Sequence, residues 1–118
     1  MDITMEKFNR DKHNFPGENI EPSHVFYDGD KIVGRAKLVV CETEVYIATI
    51  TAEVKGLGYG KKMIELIKQK YNNFDLLTGD TTPKARGFWE KMGAIIDETY
   101  EDFFYIQIDP DKNIKPIF

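Results

Sequence analysis

The hydrophobic pattern changes its period between residues 44 and 71, and this change constrains the fold more than any other feature. Residues 44–51 are rich in β-branched side chains, which predicts a strand. Residues 60–71 carry apolar side chains at helical spacing, which predicts an amphipathic helix. The apolar residues on that helical face are Met63, Ile64, Ile67 and Tyr71. A short loop with three glycines joins the two elements, so the chain contains a strand–glycine loop–helix unit.

Five further strands are predicted around this unit. Residues 2–8 form a short first strand, and Asp28 with Gly29 marks a tight hairpin turn. The second arm of that hairpin runs from about Ile32 to Cys41, and Cys41 is expected to pack in the sheet. Short strands follow at residues 74–78 and 103–108. The acidic residues between 97 and 102 are interpreted as a solvated loop rather than a site for a cationic substrate.

A second helix is predicted to begin at Thr82 and Pro83. Threonine is a favourable N-cap, and proline at the first helical position loses no hydrogen bond. One face of this helix carries the apolar residues Ala85, Phe88, Trp89 and Met92. Phe88 and Trp89 are expected to lie in the core, and Gly93 closes the helix. The order of elements predicts a mixed sheet with helices packed on it, of the α/β or α+β class.

Composition excludes several classes of protein. A chain of 118 residues suits a single domain, and no apolar run approaches the roughly 20 residues of a membrane span. The net charge of −4 argues against sequence-independent binding of nucleic acid. The lone Cys41 favours a reducing, cytoplasmic compartment, in keeping with the absence of an apolar leader. His13 and His24 have no partner at ligand spacing, so no metal site is expected.

The glycine loop is the strongest functional signal. Backbone N–H groups of such a loop, together with the positive end of the helix dipole, form a site for phosphate or pyrophosphate. Lys55, Lys61 and Lys62 add positive charge there. Lys62 replaces the Ser or Thr of a Walker loop, and the glycine spacing differs from a dinucleotide fingerprint. On spacing alone, a glycine turn without any ligand remains an alternative.

The loop Lys55-Gly56-Leu57-Gly58-Tyr59-Gly60 resembles the Gln/Arg-x-x-Gly-x-Gly/Ala motif of the GNAT superfamily of N-acetyltransferases. The run from Thr82 to Ala94 is similar to that family's second motif helix. The resemblance covers residues 25–108 and implies a GNAT-like acyl-CoA N-acyltransferase fold, shortened at its N-terminus. We therefore expect one domain over residues 1–118, in which residues 1–24 are poorly defined.

The resemblance implies acetyl-CoA as cosubstrate and no metal. The implied cofactor-binding residues are Ile50, Thr51, Lys55, Gly56, Leu57, Gly58, Tyr59, Gly60, Lys61, Thr82 and Trp89. The strand around Ile50 and Thr51 is expected to act through its backbone, including an N–H that polarises the thioester carbonyl.

The catalytic residues implied by the resemblance are Glu44 and Tyr105. Trp89 stands where many family members have a tyrosine that protonates the leaving thiolate, and an indole N–H is too weak an acid for that step. Counted back from the glycine loop, Glu44 takes the position of the general base in the histone-acetyltransferase branch. Tyr105 is an alternative acid or lines the substrate cleft. The structural alternatives are an ion-paired strand-end glutamate and a half-buried strand tyrosine.

The implied reaction is transfer of an acetyl group to a primary amine by direct attack. The acceptor is a protein lysine or N-terminus, a polyamine or another small molecule, with no role for nucleic acid or membrane. The region before Val25 is too short for the two helices that usually shape the acceptor site. Either that site is open, or a homodimer partner completes it. The alternatives are a non-catalytic acyl-CoA sensor, and a structural domain that binds no CoA.

Overall fold

The computed structural model describes residues 2–17, 19–97, 99 and 103–109. The strands and helices within these ranges follow the predicted order, with one additional strand after the second helix. They are β1 (Ile3–Lys7), β2 (His24–Asp28), β3 (Lys31–Val40), β4 (Glu44–Ala52), α1 (Tyr59–Lys70), β5 (Leu76–Asp80), α2 (Arg86–Lys91), β6 (Ile95–Asp97) and β7 (Phe103–Gln107). The acidic residues Glu98, Glu101 and Asp102 lie outside the described ranges. In those ranges, no helix is long and apolar enough to cross a membrane.

All the strands belong to one sheet with the order β1-β2-β3-β4-β5-β7-β6. Neighbours are antiparallel except β4 and β5, which run parallel because α1 connects them as a crossover. The β4–β5 pairing is short and extends from Glu44 and Leu76 to Ile47 and Gly79. β4 continues for five residues beyond this pairing, so the two strands diverge and open a gap in the middle of the sheet.

Both helices pack on the same face of the sheet. Met63 of α1 lies directly over Gly34, since a Cβ atom on that glycine would come within 2.6 Å of the methionine sulfur. Trp89 of α2 stacks on Phe104, which pairs with Gly79 across β5 and β7. The side chains of this core are drawn from the sheet and both helices and include Phe26, Val33, Ala36, Val45, Ile47, Met63, Ile64, Ile67, Leu77, Trp89, Phe104 and Ile106. The apolar helical faces predicted from the sequence thus cover the sheet.

The segment between β1 and β2 lies on the opposite face and contains no helix within residues 8–17 and 19–23. The buried ring of His13 anchors it, with Nε2 2.7 Å from the Tyr27 hydroxyl and 2.9 Å from Glu6 Oε1. Phe15 extends this cover because its ring lies against the guanidinium of Arg35. The expected lack of two N-terminal helices agrees with this short, non-helical connection.

The second motif helix begins later than predicted. Thr82 is followed by a tight turn, in which its carbonyl accepts hydrogen bonds from the N–H groups of Ala85 and Arg86. Its hydroxyl accepts a further bond from Ala85, at 3.2 Å, as a capping side chain does. The predicted end is correct, because Gly93 adopts a φ of 88° and Ala94 donates to the carbonyl of Trp89.

Two further expectations need correction, and one strand was not predicted. Cys41 follows the end of β3 and is exposed, so it does not pack in the sheet. Phe88 is 36% exposed, because it lies at the edge of the stripe that buries Trp89. The sequence pattern also missed β6, a three-residue edge strand paired with β7. A strand this short has too few residues to show an alternating pattern.

Candidate functional site

A cleft of about 560 Å³ opens where β4 and β5 diverge. One wall is the second half of β4, and the other is the chain from the end of β5 into α2. The residues lining it are Ile47, Ala48, Thr49, Ile50, Ala52, Lys55, Gly60, Met63, Asp80, Thr81, Thr82, Lys84, Ala85, Phe88 and Trp89. The inner surface is mainly apolar, with hydroxyls and charged groups from only a few positions. Such a cleft suits an elongated ligand with a polar end.

A β-bulge marks the apex of the cleft. Lys37 pairs with Thr49 and Leu38 pairs with Ile47, so Ala48 has no register partner on β3. Ala48 also lies one residue beyond the last pair of β4 with β5. Bulges bend a strand and interrupt its ladder, and here the bulge coincides with the divergence of the two strands. The backbone of β4 is therefore interrupted at the point where its pairing with β5 ends.

The glycine loop borders the other end of the cleft. Gly56 and Gly58 have φ values of 85° and 77°, in the left-handed region that side chains disfavour. A Cβ atom at either position would meet nothing within 4 Å, so the backbone of the loop faces open space. No side chain caps α1, and its first turn carries no acidic residue. These features leave the N–H groups and the positive dipole end of the helix available to an anion.

Charge is unevenly distributed around the cleft. Two lysines, Lys55 and Lys84, line it together with a single carboxylate, Asp80. Lys55 belongs to the glycine loop and therefore adds positive charge beside the uncapped N-terminus of α1. Within the described ranges, no group of three or more His, Cys, Asp or Glu side chains is placed to hold a metal ion.

Two aromatic residues of α2 close the helical side of the cleft. Trp89 is buried and stacks on Phe104, with ring centroids 4.0 Å apart. Phe88 lies edge-on to Trp89 and reaches Gly60, where a Cβ atom would come within 3.0 Å of its ring. Gly60 therefore allows the N-terminus of α1 to approach α2 closely. Trp89 lies where the sequence placed it, in the core and on the cleft wall at once.

Two hydrogen bonds link β4 to β5 on the face opposite the helices. The Tyr46 hydroxyl donates to Asp80 Oδ2 at 2.6 Å, and the Thr78 hydroxyl donates to Glu44 Oε2 at 2.5 Å. The bond to the carboxylate, together with partial burial, raises the pKa of Tyr46. Tyr46 therefore stays protonated at neutral pH and remains a donor to Asp80.

The cleft brings together five of the residues predicted from the sequence, namely Ile50, Lys55, Gly60, Thr82 and Trp89. Gly56, Leu57, Gly58 and Lys61 belong to the adjoining loop and first turn of α1. Tyr59 is also there, but its side chain is buried and its hydroxyl donates to Asp28, so only its backbone faces the loop. Thr51 pairs with Arg35 and is not among the lining residues.

The two predicted catalytic residues lie outside the cleft lining. Glu44 is the first residue of β4, and its carboxylate is bound to Thr78. Tyr105 pairs with Thr78 and Ile95 in the middle of β7. The residues at the apex, Ala48 and Asp80, were not predicted from the sequence. The signal for Asp80 was its place two residues beyond the predicted strand 74–78, where side chains commonly border an α/β cleft.

Comparison with known proteins gives one relative in sequence. No family model matches the chain. The 5-NmdU N-acetyltransferase of Pseudomonas phage PaMx11 is 33% identical over 64 residues, which are 52% of this chain and 46% of that protein. The chain thus spans about half the length of the curated relative that it matches.

Solved structures cover more of the chain at lower identity. A mutant of the AtaT toxin, bound to the C-terminus of the antitoxin AtaR and acetyl-CoA, superposes with a TM-score of 0.64 over 92% of this chain and 94% of that one, at 11% identity. A putative GNAT-family acetyltransferase from Desulfovibrio desulfuricans superposes with a TM-score of 0.58. The match covers 73% of this chain and 67% of that one, at 15% sequence identity. Tetrahymena GCN5 superposes with a TM-score of 0.59 over 71% of this chain and 65% of that one, at 16% sequence identity. The glycine loop, the bulged strand and the divergent β4 and β5 therefore belong to a chain with the GNAT acyl-CoA N-acyltransferase fold.

Proposed function

We propose that this chain is an N-acetyltransferase that binds acetyl-CoA in the cleft and transfers its acetyl group to a primary amine. The observation that carries the proposal is the divergence of β4 and β5 beside an uncapped helix N-terminus with a glycine loop. The fold shared with an acetyl-CoA-bound structure and the name of the phage relative support it.

The residues present suit acetyl-CoA. Gly56 and Gly58 leave room for a phosphate group to approach the backbone, and Lys55 supplies a positive charge beside them. The apolar cleft between β4 and α2 suits the pantetheine arm. The bulged backbone at Ala48 is the group that we expect to polarise the thioester carbonyl, two residues before the Ile50 region expected from the sequence.

The reaction is direct transfer. The acceptor ammonium loses a proton, and its nitrogen attacks the thioester carbonyl carbon, so a C–N bond forms. The C–S bond then breaks, the nitrogen loses its second proton, and the thiolate gains one. Glu44 is the proposed proton acceptor, acting through a water because its carboxylate lies outside the cleft lining.

The acceptor class remains a primary amine. A protein lysine or N-terminus, a polyamine, and the 5-NmdU group named for the phage relative are the candidates to compare. The acceptor site is either open or completed by a homodimer partner, and a single domain over the whole chain is part of the same proposal. The competing function is acyl-CoA sensing without transfer, which Trp89 favours because its indole cannot protonate the leaving thiolate.

The test combines binding and turnover. Acetyl-CoA binding is measured by calorimetry, and thiol release is followed with a lysine peptide, a peptide with a free N-terminus, spermidine and 5-NmdU. Amine-dependent thiol release is the expected result. Binding without release from any acceptor would favour the sensor, and absence of binding would reduce the glycine loop to a structural turn.

Glu44→Gln tests the proposed base. The substitution keeps an acceptor oxygen for the Thr78 hydroxyl but cannot take up a proton, so turnover should fall by about 100-fold while acetyl-CoA affinity stays within twofold. Glu42→Gln, at an exposed residue two positions earlier, is the matched control. Wild-type turnover in the Glu44 variant would remove this residue from the mechanism.

A further inference from the structure

We propose that Asp80, oriented by Tyr46, is the residue that receives the ammonium group of the acceptor. This inference deepens the proposed function and depends on it. It assigns an acceptor-binding role to a residue at the apex of the cleft, and it implies that the acceptor must be a cation when it binds.

The position of Asp80 in the sheet is the first argument. Gly79 is the last residue of β5 that pairs with β4, and its partner is Ile47. The next residue on each strand is therefore Asp80 on β5 and Ala48 on β4, and these two flank the point of divergence. A group bound by Asp80 lies beside the bulged backbone that we expect to polarise the acetyl carbonyl.

The direction of the side chain is the second argument. Side chains alternate along a strand, and Gly79 faces Phe104 and the helices. Asp80 therefore faces the other side of the sheet, where its carboxylate meets the Tyr46 hydroxyl. The glycine loop and the helices lie on one side of the apex and this carboxylate on the other. An acceptor at Asp80 can thus approach the acetyl group without crossing the space that the pantetheine arm needs.

The chemistry of the pair is the third argument. Asp80 is the one carboxylate among the residues that line the cleft, and it is exposed. Tyr46 donates to Oδ2, and Oδ1 is the oxygen that we assign to the incoming ammonium. A charge-assisted hydrogen bond from an ammonium to an oriented carboxylate is about twice as strong as a neutral one. Tyr46 thus serves as a positioning residue, and Asp80 contacts the substrate.

Glu44 and Asp80 then have separate tasks. Glu44 lies on the same face but two residues before Tyr46, with Thr78 bound to its carboxylate. Removing charge at Asp80 should weaken binding of the amine, whereas removing charge at Glu44 should slow proton transfer. The first change appears in the KM for the amine and the second in kcat.

Steady-state kinetics with spermidine and with a lysine peptide test the proposal. Asp80→Asn keeps the shape of the side chain and should raise the KM for the amine by about tenfold or more, with acetyl-CoA affinity within twofold of wild type. Tyr46→Phe should raise it by about threefold, because the carboxylate remains but loses its orientation. Asp30→Asn, at the exposed tip of the β2–β3 hairpin, is the matched control and should change neither value.

The outcomes separate the two proposals. Amine-dependent transfer by the wild type, with an unchanged amine KM in Asp80→Asn, would overturn the role of Asp80 and leave the acetyltransferase standing. The absence of amine-dependent thiol release from the wild type would overturn both. If Asp80→Asn fails to fold by circular dichroism, an unchanged amine KM in folded Tyr46→Phe would count against the site.

Discussion

Trp89 lies almost flat against Phe104, with ring centroids 4.0 Å apart and planes inclined by 19°. Aromatic pairs of this kind are stabilised by about 0.5–1.5 kcal/mol beyond the area that they bury. The stack joins α2 to β7, and Trp89 also lines the cleft, so one side chain contributes both to the core and to the shape of the candidate site.

Gly79→Ala should destabilise the fold through this stack. The added Cβ would lie 2.7 Å from two ring carbons of Phe104 and 3.1 Å from the Ile47 carbonyl oxygen, so the ring must move. We expect the free energy of unfolding to fall by about 1–3 kcal/mol in urea titrations. Gly87→Ala is the matched control, because its Cβ would meet nothing within 4 Å, and alanine should stabilise α2 by about 0.5–1 kcal/mol. Equal changes in the free energy of unfolding for Gly79→Ala and Gly87→Ala would show that the fold tolerates a Cβ atom beside Phe104.

Trp89→Phe should separate the contribution of Trp89 to core packing from any contribution of its indole N–H to the reaction. The smaller ring leaves a void against Phe104, so the free energy of unfolding should fall by about 1–3 kcal/mol. The indole N–H is not expected to protonate the thiolate, so kcat should stay within about threefold of wild type. Thiol-release kinetics and urea titration measure the two effects. A large loss of kcat in a well-folded variant would instead give the indole N–H a role in the reaction.

Lys55→Ala should weaken binding of acetyl-CoA by about tenfold, the loss expected for one charge-assisted contact of roughly 1.4 kcal/mol. The wild-type affinity should also decline with added salt, because Lys55 belongs to a loop at the open end of the cleft. Lys68→Ala, near the C-terminus of α1, provides a control of equal charge change. Calorimetry at low and at high salt measures the acetyl-CoA affinity of each protein. Equal affinities of Lys55→Ala and Lys68→Ala would exclude Lys55 from the proposed phosphate-binding site.

His24 should make the stability depend on pH. Burial lowers its pKa to about 4 in the folded chain, and the charges of Lys70 and Lys7 act in the same direction. The unfolded chain binds a proton near the ordinary pKa of about 6.5, so stability is fully present above pH 6.5 and is lost as the pH falls towards 4. We expect a loss of about 1–2 kcal/mol between pH 7 and pH 5.

Urea titrations of the wild type and His24→Gln at the two pH values test this expectation. The absolute stability of the variant is not the readout, because a buried side chain has been replaced. The readout is the difference between the two pH values, which should be much smaller in His24→Gln. An unchanged difference would assign the pH dependence to other groups.

The sequence predicted most of the architecture because its signals are local. The β-branched run of β4 and the apolar face of α1 each have a clear period. The start of α2 was predicted at Thr82 because a capping threonine and a following proline favour a helix, yet the structure has a tight turn there first. The residues at which helices and strands begin and end also depend on tertiary contacts, and local propensity alone does not predict these contacts.

The amino-acid sequence by itself determined the strand–glycine loop–helix unit, the apolar faces of both helices and the position of the glycine loop between β4 and α1. Only the tertiary structure decided that β4 and β5 diverge after Ile47 and Gly79, that Ala48 bulges there, and that Asp80 turns away from the helices towards Tyr46. The reason is physical. The glycine residues of a loop can be read directly from the sequence, and they indicate a flexible backbone. A cleft between two strands instead depends on where the pairing of the strands ends, and the paired residues are more than 30 positions apart in the chain.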